Sequence, residues 1–139
     1  MKGKNLILDK SFDFAVRIVN LNKYLVSEKK EYVLSKQILR SGTAVGALAR
    51  EAQHAESNAD FIHKLSIALK EANETDYWLL LLNKTEYIED KIYNSLNDDI
   101  QELLKLLVSI IKSSKKQEVI MSNSQLSINN SQFNTYARK

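Results

Sequence analysis

The stretch from Gln37 to Leu82 carries two helical periodicities in succession, in a chain that contains no proline at all. It reads QILRSGTAVGALAREA, a short polar break, then DFIHKLSIALKEANETDYWLLLL. Without the residue that most strongly interrupts a helix, long uninterrupted helices are the default outcome. Both halves also combine small residues, paired charges and apolar blocks. That mixture describes helices packed on more than one side.

Two more periodic segments flank this region. A first helix is expected from about Ser11 to Leu25, because Phe14, Ile18, Leu21 and Leu25 fall at steps of four, three and four. A second is expected over Val33–Ala55 and a third over Ala59–Tyr87, with Ser57 or Asn58 as its N-cap. The third keeps helical spacing through Phe61, Leu65, Ala68, Ala72, Leu79 and Leu82, and Thr75 fills the gap. A fourth is expected over Lys91–Ser113 on Leu96, Ile100, Leu103, Leu107 and Ile110. Short connections make neighbours antiparallel, so the fold class is all-α, an up-down four-helix bundle occupying residues 1–116. From 117 to 139 the chain turns to Asn, Ser and Gln, and the triplet NSQ at Asn123 recurs at Asn130. Leu126 and Phe133 form too sparse a seam for a coiled coil, so a disordered polar tail is expected, with Arg138 and Lys139 adding weak electrostatic attraction.

Composition excludes several function classes. There is no cysteine, hence no disulfide and no thiolate metal site. His54 and His63, nine apart, have no zinc spacing, and Glu51 with His54 makes a Glu-x-x-His motif that di-iron bundles need twice. No phosphate-cradling glycine loop and no nucleophile elbow occurs. No catalytic residue, metal site or cofactor is therefore expected. The apolar run Tyr77–Leu82 is far shorter than a membrane span, and MKGKNLIL lacks the features of a signal peptide. A cytoplasmic protein without membrane association is the expectation.

Charge is unevenly spread. The net +3 divides into +6 over residues 1–50, −7 over 51–110 and +4 over 111–139. On the second helix Leu34, Ile38, Ser41, Val45, Leu48, Ala49 and Ala52 gather on one face, expected to meet the core. Lys36, Arg40, Thr43, Ala47, Arg50 and His54 gather opposite, an acid-free basic row suited to phosphates or to an acidic protein surface. Such rows also serve simple solubility. Gly42 and Gly46, one turn apart, each cost roughly 1 kcal/mol relative to alanine in a helix, so a close neighbouring helix is expected there. On the third helix Ile67, Trp78 and Leu81 lie opposite the core face, with Glu71 and Glu74 among them. A solitary bundle has no second interior for them, so Gly42, Gly46, Ile67, Glu71, Glu74, Trp78 and Leu81 are candidates for a boundary between subunits. Counting back around the hairpin places Arg40 opposite Glu74, which favours an ion pair within the chain.

RSGTAVGALAREA and the following DFIHKLSIALKEANETDYWLLLL resemble the signature of bacterial four-helix bundle proteins encoded in 23S ribosomal RNA intervening sequences, over about Phe12–Ile111. The resemblance implies a small helical subunit assembled into a ring, typically a pentamer. Its more distant kin include the accessory protein of diversity-generating retroelements, a basic ring that binds nucleic acid and a reverse transcriptase. Arg40, Ser41, Gly42, Thr43 and Gly46 match the first block, and Lys70, Glu71, Ala72, Glu74, Thr75, Tyr77 and Trp78 match the second. By resemblance these are packing and assembly positions.

The sequence thus predicts a non-enzymatic homo-oligomer that binds RNA or DNA weakly through Lys10, Arg17, Lys23, Lys36, Arg40 and Arg50. The alternative is a protein–protein assembly module with no nucleic-acid binding.

Overall fold

A computed structural model describes the backbone of residues 2–137 and the side chains of residues 6–130. Its helices are α1 (Lys2–Ser27), α2 (Leu34–Ala52), α3 (Asn58–Lys84) and α4 (Asp90–Ala137). α1 packs on α2, α2 on α3, α3 on α4, and α4 closes back on α1, so each helix touches two neighbours. Specific contacts give each pair its direction. Asn22 Nδ2 donates to the Ser35 carbonyl, whereas the earlier Ser11 lies against the later Gly46. Arg40 pairs with Glu74 while Glu51 pairs with Lys64. Asp76 accepts from Gln101, and Asn58 donates to the Ser114 carbonyl. Lys10 meets Glu102 and Arg17 meets Asp99. In every pair one number rises as the other falls, so the neighbours run antiparallel.

The periodic rows become the core. α1 contributes Ile7, Phe14, Ile18, Leu21 and Leu25; α2 contributes Ile38, Val45, Ala49 and Ala52. Phe61, Leu65, Ala68, Ala72, Leu79 and Leu82 of α3 meet Leu96, Ile100, Leu103, Leu107 and Ile111 of α4. Leu34 and Leu48, expected on the core face, are only partly buried at its edge. One polar pair sits in the middle: Thr75 Oγ1 lies 2.9 Å from Ser41 Oγ, both residues fully buried. Thr75 gives its proton to the Glu71 carbonyl at 2.8 Å, so Ser41 is the donor to Thr75.

Helix ends depart from the expected positions for local reasons. α1 begins earlier than Ser11 because Ile7 extends the same buried row toward the N-terminus. α2 stops at Ala52, where Gln53, His54 and Ala55 donate to carbonyls three residues back and tighten the last turn. α3 stops at Lys84 because Glu86 adopts a left-handed conformation (φ 68°), and Tyr87 N–H then reaches the Leu82 carbonyl at 2.9 Å. Lys30 (φ 53°) plays the same part after α1. Neither is glycine, so neither turn announces itself in the sequence.

The start of α2 is held by a residue the sequence reading passed over. Val33, next to the first helical residue, offers no side-chain cap. The Glu31 carboxylate serves instead, accepting from Val33 N at 2.8 Å, Leu34 N at 2.7 Å and Ser35 N at 2.9 Å. Ser35 Oγ returns a hydrogen bond to the Glu31 carbonyl at 2.8 Å. At α3, Ser57 Oγ accepts from Asp60 N at 3.0 Å, the expected N-cap.

After Ser114 the described side chains of α4, residues 115–130, are all exposed. Core packing of α4 thus ends near Ser114. Where the sequence reading expects disorder, the backbone continues as helix, with no proline or glycine to stop an already nucleated segment. Phe133, Arg138 and Lys139 lie outside the residues whose side chains are described.

Candidate interaction surfaces

The antiparallel register decides which cations remain available. Lys10 Nζ is 2.6 Å from a Glu102 carboxylate oxygen, whose hydrogen bond, followed by its charge, raises the lysine pKa above 10.5. Arg17 Nη1 is 2.5 Å from Asp99 Oδ2, and its Nη2 donates to Ser95 Oγ at 2.8 Å. Arg40 spans to α3, binding Glu71 at 3.1 Å and also Glu74. Three of the six candidate nucleic-acid residues are thus matched by carboxylates of their own chain. Lys23, Lys36 and Arg50 are exposed and make no ion pair among the described residues. The unbroken basic row on α2 is interrupted at its centre by the Arg40 clamp.

The candidate subunit-boundary residues are also redistributed. A Cβ on Gly42 would lie 2.9 Å from both Cγ1 and Cγ2 of Ile18, so this glycine admits α1 of the same chain and is buried there. It cannot also lie on a boundary between copies. A Cβ on Gly46 would stand 3.2 Å from the Ser11 carbonyl oxygen, again on α1. The close neighbour predicted from the two glycines exists, and it is intramolecular. Glu71 and Glu74 are engaged by Arg40. Trp78 is partly buried against the core, and its indole nitrogen is enclosed by its own chain with no hydrogen-bond partner. Ile67 and Leu81 remain partly exposed.

Uncovered apolar side chains lie on α1 and on the C-terminal part of α4, where Val119, Ile120, Met121, Leu126 and Ile128 project beyond the bundle; those on α1 form a stripe on the packed bundle itself. Phe12 (57% exposed), Val16 (46%), Val19 and Val26 follow one another at steps of four, three and seven, a second stripe on the side away from the core. Beside it an open groove of about 210 Å³ is lined by Leu8, Phe12, Ala15, Thr43, Gly46, Ala47 and Arg50. Gly46 and Ala47 add little side-chain bulk to its lining, and Arg50 supplies its one charged group. The signal for this stripe was present in the sequence as Phe12, Val16 and Val19, but the stronger row of Phe14, Ile18 and Leu21 masks it.

Among the described residues no three His, Asp or Glu side chains come close enough to hold a metal ion. No helix of the described residues is long and apolar enough to cross a membrane.

A family model described as 23S rRNA-intervening sequence protein matches residues 3–109, most of the chain. The chain belongs to that family. Among solved structures the chain is similar to a protein of unknown function from the S23 ribosomal protein family of Bacteroides thetaiotaomicron VPI-5482. It is 64% identical, with a TM-score of 0.78, and the match covers 79% of this chain and 98% of that one. No curated protein matches. The resemblance of the two sequence blocks to the 23S rRNA-intervening sequence proteins, and the four-helix fold it implied, are thus established.

Proposed function

We propose that this member of the 23S rRNA-intervening sequence family is a non-enzymatic assembly module that acts as a homo-oligomer, in keeping with the ring its family resemblance implies. The observation that carries the reading is the outward stripe of α1. Phe12 and Val16 stay substantially exposed beside a groove of mostly apolar lining, and contiguous apolar surface of this kind favours association. The ionic contacts of Arg17 and Arg40 are satisfied within the subunit, so assembly relies on apolar burial more than on charge. Mass in solution tests this. The wild type should form one defined oligomer that persists at high salt, and Phe12→Ser with Val16→Ser should give a helical monomer. A wild-type monomer at every concentration refutes the reading.

A second reading, weak phosphate binding, is favoured by Lys23, Lys36 and Arg50, which make no ion pair among the described residues. Its affinity for duplex RNA or DNA should fall steeply with salt, and Lys36→Gln with Arg50→Gln should remove it. Absence of binding at low salt sinks this second reading without touching the first.

A further inference from the structure

The solvent face of α3 carries a row that neither reading uses. His63, Lys70, Tyr77 and Lys84 recur at a strict seven-residue interval, and all four are exposed. Between them on the same face lie Ser66, Asn73 and Leu80. The four heptad positions themselves carry no carboxylate, although residues 51–110 as a whole carry a net charge of −7; Glu74, one turn from Lys70, shares this face. The carboxylates that flank it are occupied: Glu74 by Arg40, and Asp76 by Gln101 at 3.3 Å. Lys70 and Lys84 make no ion pair among the described residues.

At its centre Tyr77 is 58% exposed, and its ring is braced edge-on by Trp78, with centroids 5.0 Å apart and planes at 69°. Trp78 is itself anchored against the core. The phenol is therefore supported from within while a large part of it faces water. At the rise of an α-helix, Lys70 and Lys84 stand roughly 10 Å to either side of Tyr77 along the axis. A seven-residue interval drifts only about 20° per repeat, so the three stay on one face.

We infer that this face of α3 binds single-stranded nucleic acid, with a base stacked on Tyr77 and the backbone phosphates on either side drawn to Lys70 and Lys84. An exposed aromatic between cations suits an unpaired strand, which offers base faces and phosphates together; a duplex hides its base faces by stacking. The charge argument selects this occupant over a protein surface, since the heptad positions present two unneutralised lysines and no acid. The inference stands apart from self-association, which uses α1, and from phosphate binding by Lys36 and Arg50 on α2.

The test is fluorescence anisotropy of the full chain with a short fluorescein-labelled oligoadenylate, single-stranded or in duplex, at low salt. Trp78 is the sole tryptophan and touches Tyr77, so its emission should change as the single strand binds. Tyr77→Ala should weaken binding about tenfold, and Tyr77→Phe should restore it. Lys70→Gln and Lys84→Gln should each lower the salt slope by about 0.7. Lys36→Gln with Arg50→Gln should leave single-strand binding in place. Circular dichroism checks that each variant keeps its helicity.

The inference is overturned if the single strand does not bind, if the duplex binds equally well, or if Tyr77→Ala binds as the wild type does. It is also overturned if the Lys36 and Arg50 changes alone abolish binding, or if Tyr77→Ala acts by changing the oligomer mass. That last outcome would make the α3 face a boundary between copies.

Discussion

Replacing Glu31 probes how a buried carboxylate holds one end of the bundle together. Its side chain satisfies three consecutive N–H groups at the start of α2, groups that no other side chain caps. Hydrogen bonds to a charged group contribute about 1.5–3 kcal/mol, and a conventional N-cap about 0.5–2 kcal/mol. Water can reach part of the opened turn, so the sum of three full bonds overstates the loss. Glu31→Ala should therefore cost about 3 kcal/mol, and Glu31→Gln, which keeps an acceptor oxygen but no charge, about 1–2 kcal/mol. Against a domain stability of roughly 5–15 kcal/mol, either is easily measured.

The same site fixes a pH dependence. Burial pushes the Glu31 pKa up, but the N–H groups of Ser35, Leu34 and Val33 outweigh it and hold the pKa below 4.5. A carboxylate with a depressed folded-state pKa stabilises the protein fully above its unfolded value, and that stabilisation is lost as pH falls through the folded value. Urea denaturation of wild type and Glu31→Gln from neutral pH into acid should show a constant gap above about pH 4.5 that closes below it. A gap that is absent at neutral pH, or unchanged down to the lowest pH at which both fold, refutes the capping role.

Other expected outcomes follow from packing. Gly42→Ala drives a methyl into Ile18, at about 1–3 kcal/mol for overpacking against a helix-propensity gain of about 1 kcal/mol, so denaturation should show a net loss of about 1 kcal/mol. Thr75→Val strands the buried Ser41 hydroxyl and should cost about 1–3 kcal/mol, whereas adding Ser41→Ala should recover most of it, as a double-mutant cycle would show. Glu86→Gly relieves a left-handed conformation that costs an L-residue roughly 1–2 kcal/mol; after the extra freedom of the unfolded glycine, a gain of about 0.5–1 kcal/mol in thermal or chemical stability is expected.

What could be read from residue order was whatever depends on neighbours along one helix. Apolar steps of three and four located all four helices and named nearly all of the core, and the pair Ser57-Asn58 marked the start of α3, with the structure choosing Ser57 as the cap. Gly42 and Gly46 announced a close helix, and counting around the α2–α3 hairpin paired Arg40 with Glu74. These inferences hold because helical periodicity and short-hairpin register are local properties. The capping by Glu31 and the left-handed turns at Lys30 and Glu86 were not legible, because common residue types do there what Asp, Asn or Gly usually signal.

Only the packed bundle decided which surface each side chain ends on. Lys10 and Arg17 look available in the sequence, yet Glu102 and Asp99, more than eighty residues later, lie against them once α4 closes onto α1. Gly42, a candidate for contact between copies, turned out to admit α1 of its own chain, and the indole nitrogen of Trp78 is covered by its own chain as well. The uncovered apolar stripe on α1 and the heptad row on α3 emerge as the complement of these pairings. A surface is what remains after every long-range contact has been made, and the order of residues along the chain does not contain that remainder.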